Sequence, residues 1–400
     1  MPNYLAPDVY VEEVPGGARP IEAVGTSTAG FVGVAPNGDA FLNEARAINN
    51  WTEFVKEFWA EGNASTPLSQ AVYGFFLNGG RRCYVVNVGP NNPVVGAGNN
   101  RAGLQLLEQI DEVAIVAIPG FTDAASYDAA RTHCELLQDR VAILDTPEVV
   151  PDIDSLTRVA TVPAPGGGGG SPEEQPGVRG PESSYATQYY PWITGRDPLT
   201  NQIVNMPPSG HIAGIWARSD ATRGVHKAPA NEPVRGALNV TYLLTRDEQG
   251  VLNQSGVNAI RFFPNQGIQL WGARTLAESS SEWRYLNVRR LFNMIEESIA
   301  ENTRWIVFEP NDQTLWKSIR RDIGEFLTRI WRDGALMGST PEEAFFVKCD
   351  EETNPPDVID AGMVVTLVGI APVKPAEFVV FRISQWAGGT QVESQGGQGA

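Results

Sequence analysis

The chain has 400 residues, enough for two or three domains that each bury a core. It is 42% hydrophobic and 19% charged, as in folded water-soluble chains, and no apolar run reaches the roughly 18 residues of a membrane span, which argues against a helical membrane protein. The 47 acidic and 30 basic residues give a net charge of −17, which disfavours binding to nucleic acid or direct insertion into anionic membranes and requires specific contacts for any self-association.

Residues 1–24 read as an arm. Asp8-Val9-Tyr10-Val11-Glu12-Glu13-Val14 has strand composition, with Val9 and Val11 on one face, and lies between Pro7 and Pro15. No turn follows that would fold a partner strand back, so its backbone groups need a sheet edge elsewhere. An α/β pattern comes next. Asn50 caps a helix from Trp51 with Glu53 three residues on, and Thr66 caps a second with Pro67 in its first turn, ending near Gly79. Strands are predicted at 83–88, 113–118 and 141–144, with helices at 104–110 and 126–137 between them. Short apolar strands joined by helices imply a parallel sheet covered on both faces.

Residues 163–181, with Gly166 to Gly170 and five prolines, read as a flexible exposed loop. The glycines lack the Gly-Lys-Ser/Thr ending that holds a phosphate. The last third is a different unit. A helix over 283–302 presents Val288, Phe292, Ile295 and Ile299, and a second, capped by Asn311 or Asp312, buries Leu315, Ile319, Ile323, Phe326 and Ile330 before Gly334. Strands are expected at 305–308, 344–349 and 363–370. A final one at 378–384, holding Phe378, Val379, Val380 and Phe381, is set off by Pro372 and Pro375. The Gly-, Gln- and Ser-rich tail beyond Trp386 has a disordered composition. Each end therefore carries a lone strand. Donation to another chain and pairing within the subunit are both open on this pattern.

Catalytic signatures are sparse. His133, His211 and His226 have no zinc-ligand spacing, and no Gly-x-Ser-x-Gly elbow is present. Asp145 ends a strand, where α/β proteins often bind ligands, but no glycine fingerprint accompanies it. Cys83, Cys134 and Cys349 are too few and too scattered for a disulfide framework, and Cys83 and Cys349 read as core residues. Met1-Pro2-Asn3-Tyr4 lacks the regions of a signal peptide, so the glycosylation-like Asn50 and Asn239 carry no meaning. No cofactor, metal or catalytic residue is expected. Lys317, Arg320 and Arg321 share about one helical turn away from the apolar face and suit an acidic partner.

Several motifs in order resemble the contractile tail sheath family, in phage tails and extracellular contractile injection systems. They are Tyr4-Leu5-Ala6-Pro7-Asp8-Val9-Tyr10-Val11-Glu12-Glu13-Val14, Thr26-Ser27-Thr28-Ala29-Gly30-Phe31-Val32-Gly33, Gly224-Val225-His226-Lys227-Ala228-Pro229, Gly267-Ile268-Gln269-Leu270-Trp271-Gly272-Ala273-Arg274-Thr275-Leu276, Trp283-Arg284-Tyr285-Leu286-Asn287-Val288 and Pro372-Val373-Lys374-Pro375-Ala376-Glu377-Phe378. The resemblance implies a subtilisin-like α/β middle domain without protease activity over 25–264 and an α+β inner domain over 265–371. It also implies strand-donating arms over 1–24 and 372–400. It implies a non-enzymatic subunit, assembled in the cytoplasm. Copies would stack as sixfold rings around an inner tube and contract to drive that tube through a target envelope. Partners would be further copies of the chain, the inner tube protein, and baseplate and cap or terminator proteins. The inter-subunit strands would be Val9, Tyr10, Val11 and Val14, and Phe378, Val379, Val380 and Phe381. Lys317, Arg320 and Arg321 would face the tube. A hydrolase on a subtilisin-like fold and a monomeric binding module are the alternatives.

Overall fold

A computed structural model describes residues 20–96, 101–161, 177–380 and 382. The predicted N-terminal arm strand and most of the glycine-rich segment lie outside these residues.

The first half alternates as its sequence directs. Strand β1 (Ala29–Gly33) and strand β2 (Ala45–Ile48) precede helices α1 (Trp51–Phe58) and α2 (Pro67–Asn78). Then come β3 (Cys83–Asn87), β4 (Ile115–Ala117), α3 (Ala124–Leu137) and β5 (Val141–Asp145). The caps explain where the helices start. The Asn50 side chain accepts from the Glu53 amide at 2.9 Å, while the Glu53 carboxylate turns to the Asn49 amide rather than closing a box on Asn50. Thr66 and Ser69 do close a reciprocal box at the head of α2. The helix expected at 104–110 is a 3₁₀ segment, Leu104–Gln109. Its buried Leu104 and Leu107 are three apart, a spacing that stacks on one side of a three-residue turn.

The middle of the chain holds elements that the sequence pattern left unassigned. They are β6 (Ala186–Tyr190), β7 (Ile193–Arg196), β8 (Ile203–Met206), α4 (Ser209–Arg223), β9 (Glu232–Pro233), β10 (Ala237–Val240), α5 (Arg246–Gln254), β11 (Val257–Phe263) and β12 (Gly267–Trp271). His211, expected just after a turn, sits in the first turn of α4.

These pieces build a nine-stranded sheet in the order β2-β3-β1-β4-β5-β6-β11-β12-β9. From β3 to β11 all neighbours run parallel, and antiparallel strands finish both sides. Alternate residues feed two cores. Phe31, Val85, Ile115 and Ile143 pack with Phe75 and Trp216 on one face, and Val32, Val86, Val116 and Leu144 pack with Leu107 and Tyr127 on the other. The β11–β12 hairpin crosses the division expected after residue 264, so residues 267–271 belong to this sheet. A separate three-stranded sheet runs β10-β7-β8.

The last third builds its own core. Helices α6 (Leu286–Asn302) and α7 (Gln313–Arg332) pack Leu291, Ile295, Leu315, Ile319, Ile323 and Phe326 together, joined by Ile21 from the chain's start. Asp312 caps α7 by accepting from the Thr314 and Leu315 amides, and Gly334 leaves the helix with φ of 81°. Helix α8 (Pro341–Ala344), β13 (Phe345–Lys348), α9 (Pro356–Asp360) and β14 (Leu367–Ile370) complete the unit.

Three further expectations are corrected. The strand predicted at 305–308 is instead a 3₁₀ turn, Arg304–Ile306. Trp305 and Ile306 both lean on the core while Val307 and Phe308 are both exposed, so this short apolar run has no two-residue alternation. The strand expected over 363–370 is confined to β14. The loop expected to be exposed through residue 181 is buried at Arg179 and Gly180. Arg179 donates to the carbonyls of Ser255 and Leu276 at 2.6 and 3.0 Å, which ties it to the end of α5 and to the chain after β12.

Candidate assembly surfaces

The titratable and thiol groups singled out in the sequence are mostly buried. Asp145, at the end of β5, is buried, and its carboxylate accepts from the Ser209 amide at 2.9 Å and the Ser209 hydroxyl at 2.6 Å at the head of α4. Burial pushes its carboxyl up to about 7, against those two hydrogen bonds. His133 and His211 are buried, and burial pushes them down to about 3 and about 4. His226 is also lowered, chiefly by burial. All three cysteines are free and buried. Among the described residues no group of His, Cys, Asp or Glu could hold a metal ion, and no helix is long and apolar enough to cross a membrane.

The surfaces are more informative. Strands β13 and β14 form a two-stranded antiparallel sheet. Among the described residues each strand has only the other as a partner in this sheet, which leaves the other edge of each without a strand partner there. Phe346, 58% exposed, and Leu367 stand on it open to solvent. Beside β13 runs a groove of about 900 Å³ whose other wall is α7, with Arg320, Arg321, Arg329 and Arg332 along it.

Both ends of the described chain cross this same unit. At the start, Ile21 is buried in its core and the Ile21 carbonyl accepts from Arg329 at 2.5 Å. The Val24 amide donates to Ser298 at 3.0 Å. At the other end, the Ala371 amide donates to the Ala344 carbonyl and the Val373 amide to the Ala335 carbonyl. The chain then reaches back to the large sheet. There the Glu377 carboxylate takes two hydrogen bonds from Arg274, at 2.8 and 2.6 Å, and one from Asn253 at 2.9 Å. Past this point Phe378 and Val380 are 73% and 77% exposed.

Comparison with protein families gives two consecutive matches. Residues 107–276 match the phage tail sheath protein central domain, and residues 278–385 match the phage tail sheath C-terminal domain. The sheath complex of an extracellular contractile injection system (PVC) in its contracted state is 30% identical, covering 97% of this chain and 99% of that one, with a TM-score of 0.74. The chain belongs to the contractile tail sheath family. The helical sheath of the anti-feeding prophage (AFP) in its contracted state is similar at 29% identity and a TM-score of 0.74, with coverage of 96% and 99%. The tail sheath protein of Salmonella phage ViI is 28% identical over 267 residues, which are 64% of this sheath chain and 41% of the phage protein. The chain spans less than half the length of that phage relative.

The sheath motifs occupy definite places. The Arg274 of the tryptophan–arginine motif and the Glu377 of the last motif, far apart in sequence, are hydrogen-bonded partners. Asn287 donates to the carbonyls of His226 and Val373, joining three motifs. Of the residues expected to form inter-subunit strands, Phe378, Val379 and Val380 are exposed and form no strand among the described residues, where a strand over 378–384 was expected. Val9, Tyr10, Val11, Val14 and Phe381 lie outside the described residues. Lys317 and Arg321 are exposed on α7, Arg320 is half-buried, and Arg321 pairs with Asp322 at 3.0 Å. Sequence reasoning missed the Arg274–Glu377 pairing. Its two halves lay inside quoted motifs, but nothing in a one-dimensional pattern joins residues so far apart.

Proposed function

We propose that this chain is the structural subunit of a contractile sheath, and not an enzyme. Copies stack as sixfold rings around an inner tube and pass from an extended to a shorter, wider state that drives the tube through a target envelope. The observation that carries this reading is the likeness over almost the full length of both chains to a sheath in its contracted state. The unit over residues 25–276 acts as the subtilisin-like sheath domain, without protease activity. An end after β12, rather than at residue 264, is supported by the pairing of β12 with β11. The unit over 277–371 is the inner domain.

The open edges of β13 and β14 receive strands from neighbouring copies: Val9, Tyr10, Val11 and Val14 of one arm, and Phe378, Val379, Val380 and Phe381 of the other. Strand addition suits a moving assembly, because backbone hydrogen bonds are directional and survive rotation of the units they tether. Lys317, Arg320 and Arg321 face the inner tube. Baseplate and terminator proteins close the two ends, and assembly takes place in the cytoplasm. A hydrolase reading is not favoured, since Asp145 is sealed against Ser209.

The test is purification of the chain with its tube protein, followed by sedimentation and negative-stain imaging without added nucleotide or metal. Hollow helical tubes are expected. A chain that stays monomeric at high concentration with the tube protein present overturns the reading.

A further inference from the structure

The last sheath motif ends on a carboxylate that the tertiary structure captures at a specific place. Glu377 is three-quarters buried and lies in a fork-to-fork arrangement with Arg274, whose side chain is 10% exposed. The second Arg274 amine nitrogen, Nη1, donates to the Asn253 carbonyl at 2.9 Å, so α5 helps hold the guanidinium. The Arg274 backbone is fixed as well. Its amide donates to Asn258 Oδ1 at 2.7 Å, and its carbonyl accepts from Asn258 Nδ2 at 2.8 Å, which seats it against β11. Two-pronged arginine–carboxylate pairs set direction as well as proximity. Burial pushes the Glu377 carboxyl up, but the hydrogen bonds from Arg274 and Asn253 outweigh it and hold the group below the usual carboxylate range.

We propose that Arg274 and Glu377 form the anchor that roots the C-terminal arm on the large-sheet unit and so fixes the direction in which Phe378 and the residues after it leave the subunit. The arm leaves β14, crosses the C-terminal core at Ala335 and Asn287, and is next gripped, among the described residues, where it reaches the other unit. Residues 371–377 are thus a strap between two units, with its outer end clamped by a charged pair. An arm that left from an unclamped point would sample many directions, and each donation would lose more conformational entropy. The pair therefore acts as a positioning device for donation, a role that rests on the sheath reading.

The experiment uses the full chain with Glu377→Ala, Glu377→Gln and Arg274→Lys. Hydrogen exchange is read over residues 371–380 in the unassembled subunit, thermal melting is followed in parallel, and tube formation is scored with the tube protein. Glu377→Ala is expected to raise exchange at least about tenfold at the Val373 amide, which donates to the Ala335 carbonyl at 3.1 Å and loses its protection when the strap's outer end is released, the loss of a directed charged contact of about 1.4 kcal/mol. It should leave the main melt in place and reduce tube yield. The other two variants, which keep one hydrogen bond each but not the fork, should fall between it and the wild type. Unchanged exchange in Glu377→Ala overturns the anchor. Raised exchange with wild-type tube yield overturns its positioning role. A wild-type chain that forms no tubes overturns the sheath reading instead, and the exchange result then decides the anchor by itself.

Discussion

At the scale of single residues, the buried carboxylate of Asp145 gives this molecule a pH signature. An unfolded aspartate titrates near about 3.9, whereas burial pushes this one up to about 7. Between those values the folded chain keeps a proton that the unfolded chain has released. Stability contributed by this site therefore falls as pH rises from about 4 to about 7, and is level above that. Asp145→Asn keeps an acceptor for the Ser209 amide, and the Ser209 hydroxyl can turn to accept from the new amide. The variant is expected to lose this slope. Urea midpoints at about pH 5 and about pH 8 should separate for the wild type more than for the variant. Equal separation would mean that Asp145 is ionised throughout. Two glycines make a second residue-scale contrast. A Cβ on Gly210 would lie 2.1 Å from the Ala71 carbonyl oxygen, which as backbone cannot move aside. A Cβ on Gly324 would meet nothing within 4 Å. Gly210→Ala should cost about 1–3 kcal/mol by overpacking, more than the roughly 1 kcal/mol that alanine gains in a helix. Gly324→Ala should stabilise by about 0.5–1 kcal/mol. Thermal melts of the unassembled subunit should show opposite shifts.

At the scale of elements, the close approach that Gly210 permits explains how α2 and α4 lie together across one face of the sheet. His211 is wedged beside Gly74 in the same contact, where a Cβ on Gly74 would fall 2.2 Å from its ring. Helix α4 is buried over most of its length, so it lacks the polar face that marks an amphipathic helix in sequence. That is why it was not read, while α7, with one apolar stripe and a capping aspartate, was legible from Asp312 to Gly334. Strands β6 and β11 were missed for a related reason. Their Thr187, Gln188 and Asn258 are buried polar residues in strands with neighbours on both sides, and only the fold supplies their partners. Gln188 donates to the Val178 carbonyl, and Asn258 grips the backbone of Arg274.

At the scale of the whole molecule, the two units are joined by a buried ion pair. Asp220 of α4 and Arg290 of α6 meet at 3.0 and 2.5 Å, with Arg290 over the Trp216 ring. The same pair holds Thr26. Its hydroxyl donates to Asp220 at 2.6 Å, and its carbonyl accepts from Arg290 at 3.0 Å. The root of the N-terminal segment is thereby fixed at the junction of the units. Asp220→Ala leaves a buried guanidinium uncompensated and should cost about 3–5 kcal/mol. Asp220→Leu with Arg290→Met should cost much less, because both charges leave together. Denaturant unfolding of the two variants checks this. A double variant as unstable as the single one would show that the packing, and not the charge, is what matters.

The sequence alone determined the repeating apolar strands, the capped helices, the two-part organisation and the sheath resemblance, because periodicity, caps and ordered motifs are local properties of the chain. It also read a strand from Phe378 on, whereas Phe378, Val379 and Val380 stand exposed without strand structure among the described residues. Only the tertiary structure decided which residues meet across long separations. Arg274 and Glu377 form one contact, Asp220, Arg290 and Thr26 another, and Asp145 closes on Ser209 in a third. Each of these is a charged or polar group whose burial is tolerable only with a partner, and the partner is chosen by the packing of the sheet and helices, which no local pattern encodes.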